Sequence, residues 1–553
     1  MTMSIDVLVV GAGPTGIVAV NELLRRGIAV RWVEKRQDPL GTTRAFTVHS
    51  RTFEMFEHMG IAHRVLEVNA VSPGNRFHIE GLGLTEDEMP VLDFRKLKNT
   101  QYNFYGKVNQ QDLEQILRSH VGSQHSFYPE WGVECKSLLQ TDSGIELTLE
   151  SNGRSETIRP RYVIGADGVH SIVRKSSGLE MKGDAYADSE SGGDGYFTMS
   201  MMDVPLVGYT GDDRWVNYHL SGDDWMLITA LPDGCHRVYV SGELEKELLK
   251  TGEHARVFQK GLDKLVPGTK LSKNQESTSW KIYKMIADDY RNANIFLCGD
   301  ACHVRSPAGG QGANCCMQDA FNIGWKLASV IKGLSPESIL DTYGEERKPV
   351  AQHVQHNAEL IHNVLFDHSR PLEDRAKDTR DPAWHDECIY GISGLAHSYK
   401  GVNWVPDGCK EFDDGPVAGA RAPNALLNES PMLTLHDIYR HTKATMLLLP
   451  SDDTQIESCK QLVREIQANF GDSIKPVIIC SGHLSDISVE NHVVNDTDDL
   501  QRWYGSSSRG RVYIVRPDLY VGYVSDLDDK LSLQKYLNHW FNCFAEQSFN
   551  LGG

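Results

Sequence analysis

Apolar and polar positions follow two rhythms along this chain, and the changes between them mark its elements. Asp6-Val-Leu-Val-Val10 is a short β-branched apolar run, suited to a parallel strand buried on both faces. Gly11, Gly13 and Gly16 follow at once, and Ile17 to Arg26 carries helical spacing that stops at Gly27. Ala29 to Val33 predicts a second strand with Glu34 at its end. Helical spacing returns at Thr52–Met59 and, more strongly, at Gln110–Val121. Between these two, residues 72–104 read as irregular, with Pro73, Gly74 and Pro90. Arg161 to Gly168 predicts another strand ending in a glycine turn.

From residue 195 to 242 the period becomes two. Tyr196–Met202, Trp215–Leu220, Trp225–Leu231 and His236–Ser241 are short runs separated by turns, which predicts an antiparallel meander inserted between parallel-type strands. Phe197, Met199 and Met201 share one face of it, as do Val216, Tyr218 and Leu220, while His219 points the other way. Ala255–Leu265 (helix), Thr278–Ile286 (extended), Ile295–Cys298 (core strand), Cys315–Ile331 and Leu340–Leu365 (long helices) follow. Residues 366–420 are charged, with Pro, Asp and Gly, and read as a linker or covering segment. Lys443–Leu449, Lys475–Cys480 and Arg511–Val515 predict strands of a third, small α/β unit, closed by a helix over Leu533–Ala545.

The chemistry sits where these elements meet. In the first turn Gly11 permits the tight bend, Gly13 lets backbone approach a phosphate, and Gly16 lets the helix pack on the strand. A pyrophosphate there meets unpaired amides at a helix N-terminus, and Glu34 can accept from ribose hydroxyls. These residues alone imply a dinucleotide without saying which. Far downstream, Gly299-Asp-Ala-Cys-His303 and Pro307-Ala-Gly-Gly-Gln-Gly-Ala-Asn314 place an acid at a strand end and glycine-rich backbone at the start of a helix. No second Gly-x-Gly-x-x-Gly followed by an acid occurs, so a nicotinamide cofactor has no Rossmann unit of its own.

Composition narrows the partners. At 553 residues two or three domains are expected, and 40% hydrophobic with 24% charged residues is ordinary globular composition. A net charge of −19 argues against nucleic acid or an anionic membrane as a main partner. Eleven cysteines contain no Cys-x-x-Cys and no paired metal-ligand spacing, which predicts a reduced, cytoplasmic setting and no metal. His353-x-x-His356 and His362 lack a positioned third ligand and read as ordinary helix histidines. The first strand starts close to Met1, leaving no room for a signal peptide, and no apolar run is long enough for a membrane span.

Taken together, Gly11–Gly16, Gly165-Ala-Asp-Gly168, Gly299–His303 and Pro307–Asn314 resemble the single-component FAD-dependent aromatic hydroxylases. Arg44-Ala45, Arg51–Glu54, Gln110 with Glu114, Met317–Asn322 and Tyr343–Arg347 support the resemblance over residues 5–360. The tail, with Ala420-Arg-Ala-Pro423 and Val515-Arg-Pro-Asp518, resembles the thioredoxin-like C-terminal domain of the phenol hydroxylase branch, though without its own Cys-x-x-Cys. The implied fold is α/β: a Rossmann-type FAD-binding domain (1–180 and 287–365), an inserted antiparallel-sheet substrate domain (181–286, with 72–104 contributing), the 366–420 segment, and a thioredoxin-like domain (421–553).

The resemblance assigns FAD contacts to Gly11, Gly13, Pro14, Thr15, Gly16, Glu34, Lys35, Arg44, Gln110 and Asp167. It extends them to Asp300, Pro307, Gly310, Gly312, Ala313 and Asn314, and puts Tyr218 and Pro307 at the reacting site. NADPH or NADH is the implied transient co-substrate, and O2 adds to the flavin as a C4a-hydroperoxide that hydroxylates a phenol- or polyketide-type ring, with or without loss of a ring substituent. A homodimer is compatible with the family. A Baeyer–Villiger or epoxidising oxygenase of the same fold, or a catalytically silent FAD-binding protein, are the alternatives. Two departures matter: Ala313 stands where the family pattern has methionine, and Phe46 stands where phenol hydroxylase carries an acid, which argues against simple phenol as substrate.

Overall fold

The computed structural model describes residues 5–39, 41, 45, 47–81, 83–85, 88–141, 144–185, 198–367, 369–402, 414–481, 492–495, 497–543 and 551. Its organising layer is a six-stranded sheet whose centre is Val7–Val10, flanked by Tyr162–Gly165 on one side and Val30–Glu34 on the other, all parallel. Ile295–Leu297 pairs in parallel outside Tyr162–Gly165, so a segment from late in the chain completes the sheet begun at its start. The four residues of Val7–Val10 are buried, as a continuous β-branched run requires between two helical layers. The helix Pro14–Leu24 packs along the helix Gly312–Ile331. Both begin a few residues before the apolar periodicity does, because the glycines and Pro14 that open them carry no apolar signal.

A seven-stranded sheet forms the second layer, in the order Thr278–Lys281, Thr198–Val204, His236–Ser241, Asp224–Ala230, Val216–Ser221, Gly74–Ile79, Val91–Asp93. The expected meander is present. The stretch read as irregular, however, supplies two of its strands, and Gly74–Ile79 pairs in parallel with Val216–Ser221. Its partner lies far away in sequence, so proline and glycine at its ends dominate any local reading. The sheet is two-faced: Met202, Val204, Met226, Ile228, Val238 and Val240 pack under the helices Glu243–Thr251 and His254–Leu265, while Met199, Tyr218, Leu227 and Tyr239 face the other way. Phe197 lies outside the described residues.

Residues 366–402 contain two helices, Leu372–Asp378 and Pro382–Ser393, where a loop was expected. The second has legible ends: the Asp381 side chain accepts from the Ala383 amide (2.9 Å), Pro382 opens the helix, and Gly394 closes it at φ +76°. Trp384, Cys388, Ile389 and Ile392 bury its inner side against the apolar cluster that includes Tyr218 and Tyr239. The C-terminal unit is a mixed sheet in the order His492–Asn495, Ile474–Ser481, Ala444–Leu449, Arg511–Val515, Val521–Asp526. Its closing helix is Lys530–Trp540, and the last expected residues of that helix lie outside the described residues.

A buried polar network ties this unit to the first. Arg516 forks onto Glu346 (2.8 and 2.8 Å) and onto Asp518 (3.0 and 2.6 Å). Lys326 reaches Glu346 at 2.8 Å, and the Asn322 amide donates to Glu346 (2.7 Å) and Asp518 (2.8 Å). Next to it Asp319 receives Arg347 (2.7 Å) and His303 (2.6 Å), while Glu54 receives Arg51 (3.1 Å) and Arg421 (2.9 Å). Removing one member leaves its partners buried and uncompensated, so Arg516→Met is expected to lower the unfolding free energy by about 3–5 kcal/mol, read from chemical denaturation.

Asp319 and Glu346 also give a pH dependence. Burial alone raises both, but Arg347 with His303, and Arg516 with Lys326, hold them down at about 2, from 3.8 and 4.5. Folded values below the unfolded ones mean a stabilisation complete above pH 4.5 and lost as pH falls toward 2. Thermal unfolding across that window should show this loss, and Glu346→Gln should flatten it; an unchanged slope refutes the assignment.

Candidate active site

The first turn is built so closely that two of its glycines are obligatory. A Cβ on Gly11 (φ +110°) would lie 2.3 Å from the Ala166 carbonyl oxygen, and one on Gly16 would lie 2.0 Å from the Gly11 oxygen. Gly13 is different: its Cβ direction meets nothing within 4 Å. Gly13 and Pro14 start a helix with no side-chain cap among the described residues, so its first amides face that open space. Glu34 is held from behind, accepting from the Ala12 amide at 2.8 Å and from the Arg36 amide and guanidinium at 3.0–3.2 Å. Burial raises its pKa, and these donors more than reverse this, keeping it ionised to face a ribose. Lys35 is exposed beside it.

The downstream half meets this turn directly. At Gly299 a Cβ would touch Thr15 Oγ1 (2.8 Å) and Cys316 Cβ (2.9 Å), so Thr15 and the start of Gly312–Ile331 enclose the Gly299–Ala301 turn. Asp300 is exposed, and Cys316 Sγ donates to its Oδ1 at 3.4 Å. The Cβ direction of Gly312 is open like that of Gly13, and its helix is also uncapped by any described side chain. Two helix N-termini therefore present free amides, with Glu34 and Asp300 at the margins. This fits a dinucleotide with a pyrophosphate, a ribose and an anionic ring end.

Other expected contacts are placed differently. Asp167 Oδ2 caps the short helix Ile172–Ser176 through the Ile172 (2.8 Å) and Val173 (3.3 Å) amides, while Oδ1 is buried without a protein partner. Burial raises its pKa. Gln110 accepts from the Ala45 amide (3.1 Å) and donates to Glu114 (2.9 Å), so it fixes the loop before the strand Thr47–Val48. Arg44 and Phe46 lie outside the described residues. The Asn314 side chain is spent within the protein: Oδ1 takes the His49 amide (2.9 Å) and Nδ2 donates to Thr47 O (3.1 Å) and Gly310 O (3.0 Å). Thr47 Oγ1 donates to Gly310 O (2.7 Å), and His49 Nε2 approaches the Gly309 (3.0 Å) and Gly310 (3.2 Å) oxygens. Together they turn the carbonyls of the glycine turn away. His49, buried and held neutral with a pKa of about 4 by desolvation, had no motif to announce it.

Against that turn lies an apolar pocket with a free volume of about 30 Å3, lined by Tyr105, Met199, Tyr218, Trp225, Leu227, Tyr239, Pro307, Ala308, Gly310, Leu365 and Phe366. Tyr218 and Pro307 are thus both on its wall, Tyr218 stacked on Phe77 at 5.1 Å and receiving the Gly309 amide. The sequence reading missed Tyr105 and Tyr239. Arg237 hydrogen-bonds Tyr239 and forks onto the Asp203 carboxylate at 2.7 and 2.7 Å. Burial lifts the Tyr239 hydroxyl to about 12, with Arg237 restraining it, and lifts Tyr218 and Tyr105 further. The signal was available: Arg237 and Tyr239 are two apart on one strand and so share a face.

Residues 4–358 match the family described as FAD binding domain. The chain is 36% identical over 530 residues to pentachlorophenol 4-monooxygenase of Sphingobium chlorophenolicum, covering 94% of each. It is 30% identical to rifampicin monooxygenase of Rhodococcus hoagii over 92% of this chain and 99% of that one. The chain belongs to the FAD-dependent aromatic hydroxylase family. Among solved structures, an aklavinone-11 hydroxylase in ternary complex with FAD and aklavinone superposes with a TM-score of 0.75 at 21% identity, covering 98% of this chain and 99% of that one. An anhydrotetracycline hydroxylase of Streptomyces rimosus gives 0.73 at 23% identity, with the same coverage. As a family member this chain is a flavoprotein monooxygenase, and its two uncapped helix N-termini with Glu34 and Asp300 offer donors and acceptors of the kind FAD takes.

Cys302, His303 and Asp319 cluster within 4.8 Å, as metal ligands do. Asp319 is nonetheless paired with both Arg347 and His303, and the Cys302 thiol donates to carbonyls of Leu297 and Gly299, so the cluster is internally compensated. Among the described residues no helix is long and apolar enough to cross a membrane. The glycine geometry separates two roles. Gly13→Ala should leave apoprotein melting unchanged while FAD binding weakens at least tenfold, whereas Gly16→Ala should lower apoprotein melting itself. Asp300→Ala should purify largely colourless, and a yellow, fully loaded variant counts against that contact.

Proposed function

We propose that this flavoprotein hydroxylates a small, ring-substituted phenol, using NADPH or NADH and O2, and displaces a ring substituent when one occupies the attacked carbon. The observation that carries this reading is the pocket itself. It is apolar on every side except for three tyrosine hydroxyls, and one of them, Tyr239, is coupled to an arginine. The pocket's free volume is about 30 Å3 and its walls are aromatic and apolar, which favours one ring over a fused polycycle. The relative matched over 94% of both chains is named for a pentachlorinated phenol, which agrees with that choice.

Bound FAD would supply two-electron reduction by a nicotinamide and activation of O2. This chain's own residues prepare the ring. Tyr239 Oη, accepting from the Arg237 guanidinium, donates its own hydrogen to the substrate oxygen, which favours the phenolate, the more nucleophilic state. Tyr218, oriented by Phe77 and the Gly309 amide, is the second hydroxyl in reach. Met199, Trp225, Leu227, Leu365 and Phe366 exclude water, which protects the activated oxygen from release as H2O2. Glu34 and Asp300 would take ribose and ribityl hydroxyls, and the amides that open Gly312–Ile331 would serve the ring end of the cofactor.

The proposed domain limits are 1–180 with 287–365 for FAD, and 181–286 with 72–104 for substrate. For 421–553 a thioredoxin-like fold is proposed, supported by a parallel βαβ unit (Ala444–Leu449, Ile456–Phe470, Ile474–Ser481) joined to an antiparallel hairpin and a final helix. The functional test is a screen of substituted phenols that follows NAD(P)H oxidation and H2O2 together. A true substrate raises the first without the second. Tyr239→Phe should then cut the hydroxylation rate by about 10²–10⁴-fold and divert turnover to H2O2. Tyr218→Phe should weaken coupling less. If both variants hydroxylate at the normal rate with tight coupling, the assignment fails.

A further inference from the structure

Arg305 lies on the segment joining the Asp300 turn to the Pro307–Gly310 turn, and its guanidinium is only partly used. Nη2 approaches His303 Nδ1 (2.8 Å), Gly312 O (3.4 Å) and Cys316 Sγ (3.8 Å). Nε and Nη1 are buried and have no protein partner. No carboxylate of the described residues lies within ion-pair distance; Asp300 acts on it across space, and the Cys316 thiol that Nη2 approaches donates to Asp300 Oδ1 at 3.4 Å.

His303 does not offset it. The approach of Arg305 Nη2 requires a lone pair on Nδ1, which leaves the proton on Nε2, facing Asp319, and gives the ring no negative charge. The contrast with the neighbouring buried arginines is clear: Arg347 has Asp319, Arg51 has Glu54, and Arg516 has Glu346 and Asp518. A buried cation requires a counter-charge, and here the protein brings none into contact.

The location says where that charge comes from. Gly312, whose oxygen the guanidinium reaches, opens the uncapped helix facing the cradle, and Pro307, Ala308 and Gly310 of the same connection line the substrate pocket. The cofactor's reacting ring has to meet that pocket, so Arg305 lies at the ring end of the cradle and away from the Gly11–Gly16 phosphate turn. Hydride transfer from a nicotinamide delivers two electrons and one proton to the flavin, which leaves one negative charge on its ring. We propose that Arg305 is the counter-charge held for this reduced ring, acting together with the free amides of Gly312–Ile331, and that it sets the reduction potential of the cofactor. The inference rests on the FAD cradle and needs neither the substrate assignment nor Tyr239.

The rival anion is the Cys315 thiol. Burial raises its pKa, and Arg305 and His303 bring it below the ordinary thiol value. The test uses FAD-loaded protein without substrate and measures the two-electron midpoint potential against reference dyes, together with the dissociation constant for oxidised FAD. Arg305→Met and the hydrogen-bonding but neutral Arg305→Gln should lose about tenfold of the preference for reduced over oxidised flavin, a fall of about 30 mV. Arg305→Lys should keep most of the wild-type potential, and Cys315→Ser should leave it unchanged. Oxidised FAD should bind within about twofold of wild type throughout.

Equal weakening of oxidised and reduced FAD, with the potential unmoved, overturns the proposal in favour of a phosphate or ribityl contact. A rise in potential in Cys315→Ser overturns it in favour of a thiolate partner, and no change in any neutral variant overturns it outright. If one neutral variant fails to fold, the other neutral variant and Arg305→Lys still decide. Because no substrate is present, failure here is distinct from failure of the hydroxylase reading.

Discussion

The helix Gly312–Ile331 is the member on which both halves of the molecule depend. Its first turn offers free amides to the cofactor cradle, and its body carries Asp319, Asn322 and Lys326 into a buried network of charges. Through that network the helix is held by Arg347 and Glu346 of the helix Thr342–Phe366, and by Arg516 and Asp518 of the C-terminal unit. Opposite charges at 2.6–2.8 Å with almost no solvent allow little displacement. The amide donors at the cofactor end are therefore fixed by contacts made several turns away.

The same economy governs the reacting site. The glycine turn at 307–310 keeps its polar groups within the protein, with the Gly310 amide on Pro307 O (2.9 Å) and the Ala308 amide on Ser306 Oγ (3.3 Å). Asn314, Thr47 and His49 take up its glycine carbonyls, so an element early in the chain shapes a turn formed late in it. Across the turn the pocket is apolar, and its polarity is confined to hydroxyls whose ionisation burial suppresses. At Tyr239 burial also suppresses it, with the Arg237 guanidinium restraining the rise. A dry pocket with one electrostatically favoured phenol contact suits chemistry that must keep water from activated oxygen while making an aromatic ring electron-rich.

The network also explains motifs that carry no obvious chemistry. Arg51–Glu54, Met317–Asn322, Tyr343–Arg347, Ala420–Pro423 and Val515–Asp518 are separate in sequence, yet Arg51, Glu54, Asp319, Asn322, Glu346, Arg347, Arg421, Arg516 and Asp518 meet in one buried region. They hold the C-terminal unit to the cofactor-binding part. Their role is positional, which is why reasoning about catalysis alone leaves them without a purpose.

The sequence by itself determined the dinucleotide turn, the parallel strands around it and the meander. Each of these follows from local rules: glycine where backbone must come close, continuous apolar runs where both faces are buried, alternation where one is. Only the tertiary structure decided that Gly74–Ile79 is a strand, that residues 382–393 form a helix packed on the apolar cluster of Tyr218 and Tyr239, and that Asn314 serves the protein's own backbone. It also decided that Tyr239 lines the pocket and that Arg305 approaches the Gly312 carbonyl. Their identities depend on partners hundreds of positions away, and on which charges end up neutralised. Periodicity records which face of an element is apolar, but it holds no information about what that face will meet.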